Sequence, residues 1–220
     1  MAVPRVAKMV TLQRNCTRGE QVLEAVLETA VRRETDLVLT QEPSGGKEKN
    51  GMRSYPRFTF IKGEEVMAAE CWIAINWALG CQVMELKELA TKCGNHVQVV
   101  EVVPPGGEAI IIAKMYGHHV GSKANRPAQR TAGGKIAKQC RAIIAGDINA
   151  YSRMWNPRVT YNQNRTFYEQ LMEEQNLFVW NTKETMRMGL RVMNHSIIDL
   201  TLTSPNLELN WCLLDGEVTG

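Results

Sequence analysis

The sequence predicts an α+β fold, in which two mostly antiparallel β-sheets pack face to face as a sandwich with helices on the outer faces. Strand-like runs heavily outnumber helical patterns, and most are separated by hairpin-length turns. A doubly wound parallel sheet needs a helix after nearly every strand, and this chain lacks them. Its 220 residues suit one domain spanning 1–220, long enough to bury a core without a covalent staple.

Taken in order, AKMVTLQRN reads as a short strand. TRGEQVLEAVLETAVRRET has apolar residues at 22/23, 26/27 and 30/31, a helical stripe, and Thr17 and Glu20 have the spacing of a capping box at its start. DLVLTQEP is a second strand, stopped by Pro43 and the glycines beyond it. RFTFIKG, MAAECWIAIN, CQVMELKEL, HVQVVEVV, EAIIIAKMYG and AIIAGD follow as strand-like runs, with Pro-Pro-Gly-Gly at 104–107 the clearest hairpin. A second helical pattern covers 162–174, and LFVWNT, SIIDLTLTS and LNWCLL complete the strands.

Composition narrows the function classes. With 44% hydrophobic and 22% charged residues the chain reads as globular, and a net charge of +3 means that any nucleic-acid footprint must be local. The six cysteines (16, 71, 81, 93, 140, 212) form no C-x-x-C pair, and several sit in apolar runs. Reduced structural thiols and a nuclear or cytoplasmic compartment are the expectation, which leaves the sequons at Asn15, Asn164 and Asn194 without meaning. No apolar stretch is long enough for a signal peptide or a membrane span, so no membrane partner is expected. The SGGKEKNG and GGKI segments lack Walker spacing and give no support to nucleoside-triphosphate binding.

The informative residues lie at strand ends. AIIAGDINA runs from buried apolar residues into Asp147 and Asn149, which share one side of an extended chain because side chains alternate across a strand. Asn15 follows TLQR, Glu42 follows LVLTQ, Tyr116 closes IIIAKMY, and Asp199 lies within SIIDLTL. Taken singly, each reads more readily as a turn residue or a satisfied core group. Their recurrence points to one cleft lined by carboxylates and carboxamides, whose hard oxygen donors suit Mg2+ or Mn2+ rather than zinc.

LQRNC, LVLTQEP, MYG, IIAGDINA and NHSIIDLTLTSPN stand in the order and rough spacing of the endonuclease/exonuclease/phosphatase superfamily. Within it the chain most resembles the endonuclease domains of LINE-type (non-LTR) retrotransposons, fungal ones in particular, through RPAQR, SRMWNPR and NHSIIDLTL. The resemblance implies a DNase I-like four-layer fold and magnesium-dependent (or manganese-dependent) nicking of DNA, with a reverse transcriptase downstream in the full polyprotein. Carried over position by position, Glu42 and Asn15 would hold the metal and Asp147 would orient or deprotonate the attacking water. Asn149 and Tyr116 would grip the phosphate, and Asp199 would hold the imidazole of a C-terminal His.

The family's final Ser-Asp-His would begin where Gly220 falls, and His96, His118, His119 and His195 match no catalytic position. The resemblance therefore implies a domain lacking its last strand and terminal His, and impaired as a nuclease. Two other readings stand beside it: a DNA-binding module without catalysis, and a phosphatase of the same superfamily. Between His118 and Arg141 lie Lys123, Arg126, Arg130, Lys135, Lys138 and Arg141 with no acid, which reads as a DNA-phosphate contact or as a solvated face. Arg153 would probe a groove, and Trp155 would stack on a base or pack in the core.

Overall fold

The computed structural model describes residues 9–43, 55–62, 71–90, 93, 96–117, 126–156, 165–180, 199–207 and 209–210, with the backbone alone for 126–129. All but the first two residues of LNWCLL, most of the loop after Glu42, and His118, His119 and His195 lie outside the described residues.

Ten strands and three α-helices form within these residues. The first sheet has the order β1-β2-β4-β3, from β1 (Thr11–Asn15), β2 (Leu37–Gln41), β3 (Phe58–Lys62) and β4 (Cys71–Asn76). The second has the order β5-β6-β7-β8-β10-β9, from β5 (Gln82–Glu85), β6 (Val97–Val103), β7 (Ile110–Tyr116), β8 (Ala142–Asp147), β9 (Phe178–Val179) and β10 (Asp199–Thr203). Antiparallel pairing dominates, as expected. The two parallel pairs, β1 with β2 and β7 with β8, are those joined through helices α1 (Glu20–Arg32) and α2 (Arg126–Ala137). A parallel pair cannot be joined by a hairpin, so each needs such a crossover.

Side-chain alternation makes three apolar layers out of these strands. Leu37, Leu39, Ile73, Ile75, Ile110, Ile112, Ile143 and Ala145 meet between the sheets. The alternate residues Val38, Trp72 and Ala74 face Leu23, Val26, Leu27 and Ala30 of α1. On the far side, Ala113, Ile144, Leu200 and Leu202 face Ala132 and Ile136 of α2 and Tyr168, Leu171 and Met172 of α3 (Arg165–Gln175). The order is helix, sheet, sheet, helices, the four-layer α+β sandwich of the sequence reading.

The Pro-Pro-Gly-Gly hairpin forms as expected. Pro105 and Gly106 are its central residues, Gly107 N–H donates to Pro104 O at 2.9 Å, and Gly106 takes the positive φ of 70° that the third turn position demands.

One expectation needs correction, and one helix was not read from the sequence. Thr17 and Glu20 do not form a capping box: Gly19 is the N-cap of α1 without a side-chain bond, and Thr17 (φ 47°) and Arg18 (φ 59°) are left-handed. The local chain is bent instead by backbone bonds from Cys16 N–H to Gln41 O and from Arg18 N–H to Glu42 O, at 2.8 and 2.7 Å. Within the basic stretch after His118, Arg126–Ala137 forms the helix α2, which was not read from the sequence. Gly133 and Gly134 and the scarcity of apolar residues hide α2 in the sequence, although Pro127 fits a first turn and Ala132 and Ile136 keep an i, i+4 spacing.

Gly146 explains why AIIAGD needs a glycine inside a buried strand. A Cβ there would overlap the Met115 carbonyl of the neighbouring β7, so only glycine lets β8 lie close enough for Tyr116 to stand opposite Asp147. Gly146→Ala should lower stability by about 3 kcal/mol or more through overpacking, read from the urea midpoint; a midpoint unchanged from the parent would refute the constraint.

Candidate active site

All five polar strand ends converge. Asn15 ends β1 and Glu42 follows β2, while Tyr116 and Asp147 end the parallel strands β7 and β8. Asp199 begins β10, which runs antiparallel to β8 and therefore starts at the same end. Hydrogen bonds join the two sheets here: Tyr116 Oη–H donates to Glu42 Oε1 at 2.6 Å, Asn15 Nδ2 to Asp147 Oδ2 at 3.3 Å, and Gln41 Nε2 to Asp199 Oδ1 at 3.1 Å. Beyond Asp147 the chain turns back on it. Asn149 N–H donates to Asp147 Oδ1 at 3.1 Å and Asn149 Nδ2 to Gly117 O at 2.7 Å.

Two of these residues hold unusual backbones. Glu42 (φ 42°) and Asn149 (φ 46°) are both left-handed. Asn tolerates that region through local side-chain bonds, whereas Glu does so rarely, and such positions cost about 1–3 kcal/mol each when the surrounding structure imposes them. The turn at Glu42 lifts its carboxylate out of the β2 face toward Tyr116.

Asp147 and Asp199 are 4% and 8% exposed and stand directly opposite each other across β8 and β10. Burial, and then the Asp199 charge, push the Asp147 carboxyl up to about 7; burial also raises Asp199, with the Lys114 charge opposing. Lys114 lies on the same face of β7 as Tyr116, is fully buried, and is lowered to about 8 by that burial. Burial raises the Cys16 thiol to about 12, so it stays protonated and no soft ligand competes.

The donors suit a hard cation. Glu42 and Asn15, with Asp147 behind them, offer carboxylate and carboxamide oxygens, and among the described residues no three His, Cys, Asp or Glu groups close into a cage. Magnesium takes such oxygen donors, usually one or two protein carboxylates with the remaining positions left to water and substrate phosphate. Asn15 Oδ1 also accepts from Thr17 N–H at 2.8 Å, and its second lone pair leaves room for a shared ligand role.

Other sequence-predicted residues fare differently. Trp155 is fully buried and donates through Nε1 to Ala150 O at 3.1 Å, so it is a core residue and not a base-stacking one. Arg153, two residues earlier, is exposed on the loop that follows Asn149. α2 starts at the site end and runs away from it, placing exposed Lys135 about 14 Å along the axis from Arg126 at 1.5 Å per residue. Arg130 covers the Phe167 ring at 5.4 Å, and Arg141 pairs with Glu108 at 2.9 Å at the opposite end of β8. The side chain of Arg126 lies outside the described residues.

Two residues at the site escaped the sequence reading. Lys114 was signalled by a lone cation on the Ile110, Ile112, Tyr116 face of a buried strand. His96 stacks on the Tyr116 ring with centroids 6.4 Å apart, a contact made by the β6–β7 pairing and invisible in sequence.

Residues 122–220 match the family model described as endonuclease-reverse transcriptase. Among solved structures, the endonuclease domain of TRAS1, a telomere-specific non-LTR retrotransposon, matches with a TM-score of 0.71 at 17% identity, covering 90% of this chain and 86% of that one. The chain has the endonuclease/exonuclease/phosphatase fold. A protein of that family from Bacteroides thetaiotaomicron shares the fold with a TM-score of 0.58 at 12% identity, over 90% of this chain and 81% of its own. So does D. rerio TDP2, crystallised with a single-strand DNA product, at 0.51 and 10% identity, over 89% of this chain and 83% of its own. No curated protein matches the chain.

The raised Asp147 has a consequence for stability. Its folded value near 7 lies above the ordinary 3.8, so the folded state holds a proton that the unfolded chain releases. Its contribution is therefore most favourable below about 4 and is lost as pH rises toward 7. In EDTA, Asp147→Asn should melt several degrees above the parent at pH 8, at about 2–4 °C per kcal/mol for this length, and the gap should close toward pH 4. A gap independent of pH would contradict the assignment.

Proposed function

We propose that the chain is a metal-dependent DNA endonuclease domain of a non-LTR retrotransposon, nicking one strand to leave a 3′-hydroxyl for the element's reverse transcriptase. The observation that carries this reading is the joining of Glu42, Asn15, Tyr116, Asp147 and Asp199 across two sheets at one end of the sandwich. The endonuclease-reverse transcriptase match over residues 122–220 and the likeness to the TRAS1 domain support the retrotransposon context.

Phosphodiester hydrolysis builds negative charge on the phosphoryl and leaving oxygens. Glu42 and Asn15 would hold Mg2+ or Mn2+, which when bound supplies positive charge against those oxygens. Asp147, raised to about 7 by burial and oriented by Asn149 N–H, would accept the proton of the attacking water. The Asn149 carboxamide gives one Nδ2 hydrogen to Gly117 O and would offer the other to the phosphate, whereas the single Tyr116 Oη–H proton goes to Glu42 and would hold that carboxylate for the metal until substrate binds. Asp199 is held by Gln41 and backs the centre from β10. Exposed Arg153, on the loop after Asn149, would be a cationic position for DNA phosphates.

The test is nicking of supercoiled plasmid with Mg2+ beside Glu42→Ala and Asp147→Ala. Nicking that each substitution reduces by about 10²–10³ or more, and that EDTA removes, is expected, with Tyr116→Phe losing less. Salt-sensitive DNA binding without nicking would favour a non-catalytic DNA-binding module. Phosphate release from small phosphoesters with the plasmid untouched would favour a phosphatase.

A further inference from the structure

We propose that Lys114 is a built-in cation standing in for a second metal ion, so that the centre takes one divalent ion, on Glu42 and Asn15. The inference rests on the metal-dependent reading above and specifies its stoichiometry.

Asp147 and Asp199 are register partners in the β8–β10 ladder. Alternation turns both toward the space between the sheets, together with Ile143, Ala145 and Thr201. Two like charges directly opposite each other destabilise a ladder, the more so when buried. In two-metal phosphodiesterase sites a second cation answers such an excess of carboxylate.

Here the fold supplies that charge itself. β7 flanks β8 on the side away from β10, and its Tyr116 stands opposite Asp147. Lys114, two residues back, shares the Tyr116 face and lies diagonally beneath Asp147, within reach of a long side chain. It is one of the largest fully buried side chains, and its Nζ has no hydrogen-bond partner among the described residues. Cys71 first, and then Asp199 and Asp147, act on it electrostatically. An ammonium buried without hydrogen bonds is costly, and a strand rich in Ile and Met offers obvious apolar substitutes. A cation retained there fits charge compensation.

The experiment counts ions. Mn2+ is titrated into the chain at pH 7.5 by calorimetry, with bound Mn2+ counted independently by electron paramagnetic resonance. The parent and Lys114→Arg should each bind one Mn2+ per chain. Lys114→Met should bind two, and Lys114→Met with Asp199→Asn should return to one. Circular dichroism verifies folding, and Lys114→Gln, which keeps a polar end, serves if the Met variant does not fold. Two ions in the parent, or a single ion in folded Lys114→Met or Lys114→Gln, would overturn the proposal while leaving the metal-dependent reading intact. No Mn2+ on the parent would overturn both.

Discussion

The structure depends on a polar seam that ties the two sheets together at one end. Over most of their contact the sheets are held by branched aliphatic side chains, which pack without direction. At the site end this gives way to hydrogen bonds, each crossing from one sheet to the other: Tyr116 to Glu42, Asn15 to Asp147, Gln41 to Asp199, and, one layer deeper, Thr201 to Gln13 at 3.4 Å. Directional bonds fix distance and angle where apolar packing fixes only contact. No one strand carries the site, and a change in sheet packing at this end would misplace several of its groups at once.

The seam holds groups that would not stay there unaided. Two carboxylates face each other in a dry ladder, a lysine is buried beneath them, and two non-glycine residues adopt left-handed backbones. Each opposes stability, and the three apolar layers around the seam offset the cost. Strain and buried charge concentrated at one end of an otherwise regular sandwich are what a preorganised site requires. The same burial that raises Asp147 toward neutrality would, in the proposed reaction, suit it to take a proton from water at neutral pH.

Much of this was legible in the chain, and the misses have physical causes. Strand ends carrying Asn15, Glu42, Tyr116, Asp147 and Asp199 could be read because period-2 burial makes a terminal polar residue conspicuous. The sandwich followed from short connections such as Pro-Pro-Gly-Gly. α2 was hidden because a surface helix with Gly133, Gly134 and four apolar residues carries little periodicity. Trp155 was ambiguous because its indole suits a core and a base equally; the bond to Ala150 O decided for the core. Lys114 left a trace, a lone cation on one face of an apolar strand, whereas His96 acquires meaning only from strand pairing, which sequence spacing does not encode.

The central claim is that residues of both sheets form one reaction centre. The most direct measurement is a double-mutant cycle on the single-turnover rate of Mg2+-dependent plasmid nicking, with Glu42→Gln from the four-stranded sheet and Asp147→Asn from the six-stranded one. Groups that act as a unit fail together. The double variant should therefore lose little beyond the worse single, which itself loses about 10²–10³. Losses that multiply, as for independent sites, would contradict a shared centre.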